Sequence, residues 1–255
     1  MGKTIAIIQA RMSSSRLPGK IMADIAGKPM LHHVIQRAQK AQPLDMVAIA
    51  TSLHQEDDVV VDFCRGENVA CFRGSLDDVL DRYYQASRHF EASTIVRVTA
   101  DCPLLDPRIT GLVIQKYFSG DYDYVNNVSP PTYPDGLDTE VFSFRVLEKT
   151  WMEAERRSER EHVTPYIYNH PEQFRLGSVT HHEDLSELRW TVDAPRDLEF
   201  VRAIYHHFQT DLFGMEDILN LLQEQPELRA INSEIKRNEG YQKSLLEDSS
   251  TRKEL

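Results

Sequence analysis

Short apolar runs alternate with helical patterns along the first half of the chain. Four runs have the length and composition of buried strands: TIAIIQA (4–10), DMVAIATS (45–52), VACF (69–72) and TIVRVTAD (94–101). Between them, apolar residues recur every three or four positions, which is the spacing of amphipathic helices. This alternation predicts an α/β fold of three layers, α/β/α, with helices on both faces of a mostly parallel sheet. The predicted helices cover residues 29–42, 55–65, 76–90 and 108–118.

The pattern loosens after about residue 121. A Pro- and Gly-rich loop leads there into an alternating strand, in the stretch SPPTYPDGLDTEVFSF (129–144). From about residue 229 the chain is highly charged and poor in apolar side chains, so a loosely attached helix and a disordered tail are both open. The further predicted helices cover residues 145–157, 159–169 and 195–208, and the further strands cover residues 174–180 and 188–193.

Length and charge narrow the class of protein. The chain has 255 residues and a formal net charge of -11, which argues against general nucleic-acid binding, because duplex binding needs a basic face. Its three cysteines are odd in number and lack C-x-x-C spacing, which predicts a reducing cytoplasm and neither a disulfide framework nor a zinc site. We find no signal peptide and no apolar run long enough to span a bilayer, so we expect a cytoplasmic protein without membrane insertion.

A loop rich in cations and small residues follows the first predicted strand, in the stretch IIQARMSSSRLPGK (7–20). In open α/β sheets, ligands bind beyond the carboxyl ends of the strands, where this loop must lie. Arginine grips phosphate with paired hydrogen bonds, lysine adds a mobile charge, and backbone amides and serine hydroxyls complete such a cradle. The alternative is that these cations pair with acidic side chains on the surface. The predicted phosphate-binding residues of this cationic loop (residues 10–20) are Ala10, Arg11, Ser15, Arg16 and Lys20.

Two aspartates stand where predicted strands end. Asp101 closes the fourth strand, and Asp193 lies between the strand over residues 188–193 and a helix that begins with proline. Mg²⁺ takes one or two protein carboxylates and fills its other positions with phosphate oxygens and water, so these two residues are candidate metal ligands. Each could instead cap the turn or helix that follows it. Asp197 and Glu199 are predicted to be solvated charges in the first turn of that helix.

Three polar residues of the looser section are candidates for binding the second substrate. Asp138 and Glu140 alternate on one face of the predicted strand and could bind sugar hydroxyls. The same strand could equally be an edge strand that faces solvent. His162 could bind an acidic substrate, although a single histidine is also a common structural hydrogen-bonding group.

Three polar residues lie after the third strand or within the fourth. Arg73 and Ser75 follow the third strand, at the edge expected for ligands, and are candidates for binding a base or a ribose. Arg97 interrupts the otherwise apolar fourth strand, which predicts an ion pair that is buried or lies at an interface.

The stretch IIQARMSSSRLPGK, followed by AGKPMLHHVIQR, resembles the N-terminal signature of the cytidylyltransferases that make CMP-sugars. The SpsF-like group of spore-coat polysaccharide biosynthesis is the most similar, and the CMP-Kdo and CMP-sialic acid synthetases are more distant. The likeness covers residues 3–208 and continues, in order, through FRGSLDDVLDRYY, VRVTADCPLLDP, PDGLDTEVF, EREHVTPYIY and WTVDAPRDLEFV. The Kdo enzymes carry Gln-Gly-Asp where this chain has Thr99-Ala100-Asp101.

The resemblance implies a nucleotide-diphospho-sugar transferase fold and a reaction between CTP and a sugar acid or related sugar. It implies that Arg11, Arg16 and Lys20 bind the triphosphate, and that Asp101 and Asp193 hold Mg²⁺. It also implies a homodimer. We therefore divide the chain into a nucleotidyltransferase domain over residues 1–228, whose section 121–180 serves sugar binding or dimerisation, and a charged tail over residues 229–255.

Two other functions stay open from the sequence alone. A glycosyltransferase on a related fold would use a finished nucleotide sugar and usually carries a D-x-D motif at a strand end. This chain has DYD at residues 121–123, away from the Pro-rich strand end. A non-catalytic nucleotide-binding subunit would bind its ligand without turnover.

Overall fold

The computed structural model describes residues 2–235, 237 and 239–251. Its strands follow the apolar runs of the sequence closely, with ends that differ from the predicted ones by a few residues. Side chains alternate between the two faces of each strand, so an apolar run of this kind can be buried on both faces. The strands are β1 Lys3–Gln9, β2 Asp24–Ile25, β3 Lys28–Pro29, β4 Met46–Ser52, β5 Ala70–Gly74, β6 Ala92–Thr99, β7 Tyr124–Asn126, β8 Glu140–Ser143 and β9 Leu176–Ser178.

The helices up to residue 208 lie in or near the predicted segments, although two short helices replace the one predicted over residues 159–169. The helices at residues 215–224 and 226–229 were not predicted, and several of the helices begin with a proline. Proline suits the first turn of a helix because the amide that it lacks has no partner there. The helices are α1 Met30–Lys40, α2 Asp58–Gly66, α3 Val79–Phe90, α4 Pro107–Phe118, α5 Phe144–Glu153, α6 Arg157–His162, α7 Pro165–Asn169, α8 Pro195–Phe208, α9 Met215–Glu224, α10 Pro226–Arg229 and α11 Glu239–Thr251.

The central sheet has seven strands in the order β5-β4-β1-β6-β8-β7-β9. β5, β4, β1 and β6 are parallel, whereas β8 runs antiparallel to both of its neighbours. β1 and β6 end in register, with Gln9 opposite Thr99, while Glu140 at the start of β8 stands opposite Arg97. The loops that leave β1 and β6 and the loop that enters β8 therefore meet at one edge of the sheet.

Two apolar cores lie on opposite faces of this sheet. Along β1, Ala6 and Ile8 pack with helices α1, α4, α8 and α9, whereas Ile5 and Ile7 pack with α3, α5 and α7. All four side chains are almost fully buried. The three-layer α/β/α architecture and the mostly parallel sheet predicted from the sequence are confirmed.

The predicted strand over residues 188–193 is wrong, although its apolar side chains are buried. Trp190 and Val192 belong to the core that contains α1, yet the segment shares only an isolated bridge with Asp135. Its amides bond to loops instead of a neighbouring strand: the Trp190 amide donates to the Asp135 carbonyl and the Val192 amide to the Asp101 carbonyl (2.8 Å). Alternating burial thus arises here without a strand ladder.

The C-terminal section packs on the body of the protein. Helix α11 contacts α6, where the Ser158 hydroxyl donates to the Asp248 carboxylate and His162 Nε2 lies 3.0 Å from Ser244 Oγ. Residues 236, 238 and 252–255 of the predicted tail lie outside the described residues. Within the described part of the chain, no helix has the length and apolar content needed to cross a membrane.

Gly136 sets how the loop before β8 packs against the segment at residues 190–191. Its φ is 110°, and a Cβ there would lie 2.5 Å from the Thr191 amide nitrogen. We expect Gly136→Ala to lower the free energy of unfolding by about 1–3 kcal/mol, measured by urea denaturation, because it adds both backbone strain and a clash.

Gly66→Ala is the matched control for this substitution. Gly66 ends α2, and a Cβ there would meet nothing within 4 Å. Equal stability of the Gly136→Ala and Gly66→Ala variants would contradict the close approach described above.

Candidate active site

A cavity of about 760 Å³ opens at the carboxyl ends of β1 and β6. Its walls are the cationic loop, the turn after β6, the segment at residues 189–193, the loop before β8, and the first turn of α11. Because parallel strands present their carboxyl ends at one edge, the end of β1 and the end of β6 reach the same cavity.

The Lys20 ammonium joins the two predicted metal-binding aspartates. Lys20 Nζ lies 3.2 Å from Asp101 Oδ2 and 2.8 Å from Asp193 Oδ1. It also donates to the Val192 carbonyl at 2.8 Å, and the lysine is 8% exposed. The cationic loop, the end of β6 and the segment before α8 therefore converge on one charged group.

This contact fixes the ionisation of its members. Burial disfavours the charged ammonium, but Asp101 and Asp193 outweigh burial and raise the pKa of Lys20. Burial likewise opposes ionisation of Asp101, but Lys20 and a hydrogen bond from Thr99 lower the pKa of Asp101 below its ordinary value. The site thus holds a lysine cation between carboxylate anions at neutral pH.

Arg16 occupies the mouth of the cavity. Its guanidinium lies between Asp193 (Nη2 to Oδ2, 2.9 Å) and Glu239 of α11 (Nη1 to Oε2, 3.2 Å). Ala10 and Ser15 line the same cavity, at the base and at the rim of the cationic loop. All five predicted phosphate-binding residues of this loop therefore line one cavity, with Arg11 towards its other end.

The other end of the cavity is also basic. Arg11 reaches the Leu76 carbonyl (3.4 Å), and Arg82, Arg97 and His162 line the wall nearby. Burial and then the charge of Arg11 lower the pKa of Arg82 to about 10. Burial also lowers the pKa of His162, and Arg97 and Arg11 add to that effect. Cations crowded in this way favour an anionic ligand.

Glu140 and Asp138 lie in this cavity with cationic partners. Glu140 pairs with Arg97, which confirms the ion pair predicted for that arginine, and accepts a hydrogen bond from Thr164 (2.7 Å). Asp138 precedes β8 and does not share a strand face with Glu140 as predicted. It pairs with Arg237 at 2.8 Å.

Arg73 and Ser75 are not brought to the cavity. β5 lies outside β4 in the sheet, so its carboxyl end is separated from the cationic loop by the end of β4. Arg73 Nε donates to the Ser52 carbonyl (2.9 Å) and its guanidinium pairs with Asp58, while Ser75 Oγ accepts from the Asp78 amide (3.0 Å). A role for either residue in binding base or ribose stays a prediction.

A buried network behind Asp193 was not predicted. Asp197 is 0% exposed, which corrects its assignment as a solvated charge, whereas Glu199 is exposed as expected. Arg189 pairs with Asp193 (3.0 Å) and with Asp197 (2.9 Å), and Asp197 also accepts the Asp193 and Ala194 amides. The arginine and these two amides, which precede α8, compensate the charge of Asp197, and this network fixes the Asp193 carboxylate.

Asp57 is a buried residue behind the cationic loop whose place the sequence did not reveal. Its buried carboxylate accepts the Met12 amide (2.7 Å) and the Ser52 amide (3.2 Å), which ties the cationic loop to the end of β4. In the sequence, Asp57 reads as an acidic residue at a helix start, and nothing near it points to a loop 45 residues away.

Asp101 and Asp193 are suited to a divalent cation only when a bound phosphate supplies further oxygen donors. In the described residues, no group of three or more His, Cys, Asp or Glu side chains is placed to hold a metal ion. Asp101 and Asp193 supply two oxygen donors that both reach Lys20 Nζ. Mg²⁺ accepts one or two carboxylates when phosphates and water complete its shell, so the donor set fits Mg²⁺ bound to a polyphosphate.

We expect Lys20→Met to lower stability in a pH-dependent manner. Without Lys20, burial dominates and raises the pKa of Asp101 above its ordinary 3.8, so the folded state binds a proton more readily than the unfolded state. Stability of the variant relative to wild type therefore falls as pH rises from about 4 towards the new folded pKa, to a deficit of about 1–3 kcal/mol at about pH 8. Urea unfolding across this range measures it.

Lys40→Met serves as the control, because Lys40 is an exposed lysine at the end of α1. A deficit for Lys20→Met that stays constant, or that grows towards acid pH, would refute the assignment of Lys20 as the counter-ion of Asp101.

A family model and two related proteins match most of the chain. Residues 5–246 match the family model described as cytidylyltransferase. The chain is 35% identical to the uncharacterized protein MJ1063 of Methanocaldococcus jannaschii, over 92% of this chain and 96% of the relative. It is 34% identical to the spore coat polysaccharide biosynthesis protein SpsF of Bacillus subtilis, over 80% of this chain and 87% of the relative.

Solved structures agree with this likeness. A cytidylyltransferase from Leptospira borgpetersenii superimposes with a TM-score of 0.86 at 29% identity, over 89% of this chain and 97% of that one. A CMP-2-keto-3-deoxy-manno-octonic acid synthetase complexed with CTP shares the fold, with a TM-score of 0.63 at 21% identity, over 81% of this chain and 99% of that one. The protein therefore belongs to the cytidylyltransferase family and is a nucleotidyltransferase.

Proposed function

We propose that this enzyme transfers the cytidylyl group of CTP to a sugar, releases pyrophosphate and so makes a CMP-sugar for surface polysaccharide synthesis. The observation that carries the proposal is the contact of Lys20 with both Asp101 and Asp193 (3.2 and 2.8 Å). It supports a single site in which the cationic loop and two distant carboxylates face one ligand. The names of SpsF and of the synthetase solved with CTP support the choice of sugar and nucleotide.

The reaction needs positioning and charge stabilisation more than covalent chemistry by the protein. A sugar hydroxyl attacks the α-phosphorus of CTP, a new P–O bond forms, and the bond to the pyrophosphate oxygen breaks with the electron pair going to pyrophosphate. Negative charge grows on the leaving group. Arg11, Arg16 and Lys20 would stabilise that charge and hold the triphosphate in line with the hydroxyl.

Asp101 and Asp193 would hold Mg²⁺ on the phosphates, which supplies charge neutralisation and lowers the pKa of the attacking hydroxyl. Lys20 now neutralises these carboxylates, and a divalent cation bound there would leave its ammonium available to phosphate oxygens. Arg189 and Asp197 would keep the Asp193 carboxylate oriented, because both are buried and ion-paired behind it.

We assign the sugar to the end of the cavity lined by Asp138, Glu140 and His162. Arg97, which lines this region beside His162, offers a cation to a sugar that carries an acid group. Glu140 is engaged by Arg97 and Thr164, so it would act on the sugar chiefly by orienting those donors. The homodimer, the cytoplasmic location and the role of residues 121–180 in dimerisation stay predictions.

A glycosyltransferase reaction receives no support from the DYD motif. Asp121 and Asp123 both pair with Arg175, beside β7 and β9. Neither aspartate lines the cavity at the carboxyl ends of β1 and β6. The motif therefore has a structural role in joining two neighbouring segments.

A pyrophosphate-release screen tests the proposed function. ATP, GTP, UTP and CTP are each offered with Mg²⁺ and a panel of sugar acids, including 3-deoxy-manno-octulosonate, and sugar phosphates. We expect release with CTP that depends on one acceptor class, because the site binds a triphosphate next to a basic acceptor region. Pyrophosphate release that needs no acceptor, or no release from any of the four nucleotides, would contradict the proposal.

Asp101→Asn and Asp77→Asn form the matched pair for this screen. Asp77 is exposed and lies outside the cavity, whereas Asp101 lines it. We expect Asp101→Asn to abolish turnover and Asp77→Asn to retain it, with both variants showing a cooperative thermal transition.

Removal of divalent cations should stop the reaction. EDTA added to the active enzyme with CTP and its acceptor should reduce pyrophosphate release to background. Without a divalent cation, the two carboxylates repel the triphosphate instead of binding it through the metal. Excess Mg²⁺ should restore the rate. Turnover that persists in chelator would exclude the metal role of Asp101 and Asp193.

A further inference from the structure

The C-terminal section forms one wall of the cavity. Arg237 and the α11 residues Glu239, Tyr241 and Lys243 line it, next to the cationic loop and to His162. The His162 and Tyr241 rings lie 5.1 Å apart. A section that the sequence identifies only as charged thus contributes side chains to the substrate site.

Glu239 forms an ion pair with Arg16, the arginine that the proposed function assigns to the triphosphate. The Arg16 guanidinium uses Nη2 for Asp193 and Nη1 for Glu239, at 2.9 and 3.2 Å. A phosphate group binds arginine through the same N–H groups. A triphosphate that binds Nη1 and Nη2 of Arg16 would therefore compete with these two carboxylates.

Glu239 is the partner that is easier to displace. The Asp193 carboxylate is also held by Lys20 and Arg189 and is 18% exposed. The Glu239 side chain is 49% exposed, and in the described part of the chain Arg16 is its one ion-pair partner. A half-exposed carboxylate regains much of its hydration when it leaves, so its release costs little.

Helix α11 can move without disturbing the apolar cores. None of its described residues belongs to either core, and Leu246 is 72% exposed. The helix is attached through polar contacts, such as Ser158 with Asp248 and Arg157 with Glu247 (3.3 Å). Segments attached in this way open at a small fraction of the global stability.

We propose that Glu239 is a displaceable counter-ion that competes with the nucleotide for Arg16: it pairs with the Arg16 guanidinium at the cavity mouth before a triphosphate binds, and it yields Arg16 to the phosphate oxygens when one arrives. Release of Glu239 frees the first turn of α11, so the wall that carries Tyr241 and Lys243 shifts on nucleotide binding. This inference rests on the proposed function in one respect, namely that Arg16 is a triphosphate ligand.

The test measures binding of tripolyphosphate with Mg²⁺ to the full chain by isothermal titration calorimetry, and repeats it with CTP. Glu239→Gln removes the competing charge and keeps the shape of the side chain. We expect it to bind tripolyphosphate about two- to fivefold more tightly than wild type, the range of an exposed ion pair, and the gain to shrink in about 1 M salt. Hydrogen exchange of α11 amides in wild type should speed up when tripolyphosphate is bound.

Glu247→Gln is the matched control, because Glu247 lies on the same helix and pairs with Arg157 outside the cavity. Affinity of Glu239→Gln that equals or falls below that of Glu247→Gln would overturn the proposal, as would α11 exchange that does not respond to tripolyphosphate. Tripolyphosphate carries neither base nor sugar. A failure of the CTP and sugar screen would therefore leave this test standing, whereas a wild-type chain that binds neither tripolyphosphate nor CTP would refute the inference.

Discussion

The contact of one ammonium group with two carboxylates is the interaction on which this site depends. Asp101 and Asp193 are 92 positions apart in the sequence, yet both reach the Lys20 ammonium. Two carboxylates that contact the same ammonium group lie close enough to repel each other in a partly buried place. The shared cation attracts both of them and outweighs that repulsion. The same contact fixes where the cationic loop ends and how the segment before α8 approaches the turn after β6. The site is therefore formed before any ligand binds.

Further ionic contacts hold this arrangement from behind. Arg189 and Asp197 fix Asp193 from the buried side, and Asp57 fixes the cationic loop by accepting the Met12 amide. Buried charges cost desolvation energy, which is recovered only where every charge has partners of good geometry. Here the network supplies such partners to Asp193, Asp197 and the cationic loop. Its contribution is to limit the site to one geometry, which favours a reaction that needs in-line positioning.

The fold and the centre of the site were predictable because both follow from local patterns. Apolar runs with the period of strands gave the parallel sheet, and the rule that ligands bind at the carboxyl edge brought Asp101 near Lys20. Residues 188–193 were misread as a strand because Trp190 and Val192 alternate in burial while their amides bond to loops. The buried contacts of Asp57 and Asp197 were not predicted because their partners are brought together only by the tertiary fold. The place of α11 was not predicted for the same reason, since none of its described residues belongs to either core.

The reversed direction of β8 has a consequence for how such enzymes diversify. A parallel strand in its place would carry residues 138–140 to the far edge of the sheet, whereas the antiparallel one delivers them beside Arg97. Under the proposed function, the stretches that leave β1 and β6 would bind the nucleotide and the stretch that enters β8 would bind the acceptor. Mutation and length change in the stretch at residues 127–139 can alter which acceptor is taken, while the parts that handle the nucleotide stay untouched. The direction of this one strand would therefore allow the specificity for the nucleotide and the specificity for the acceptor to evolve independently.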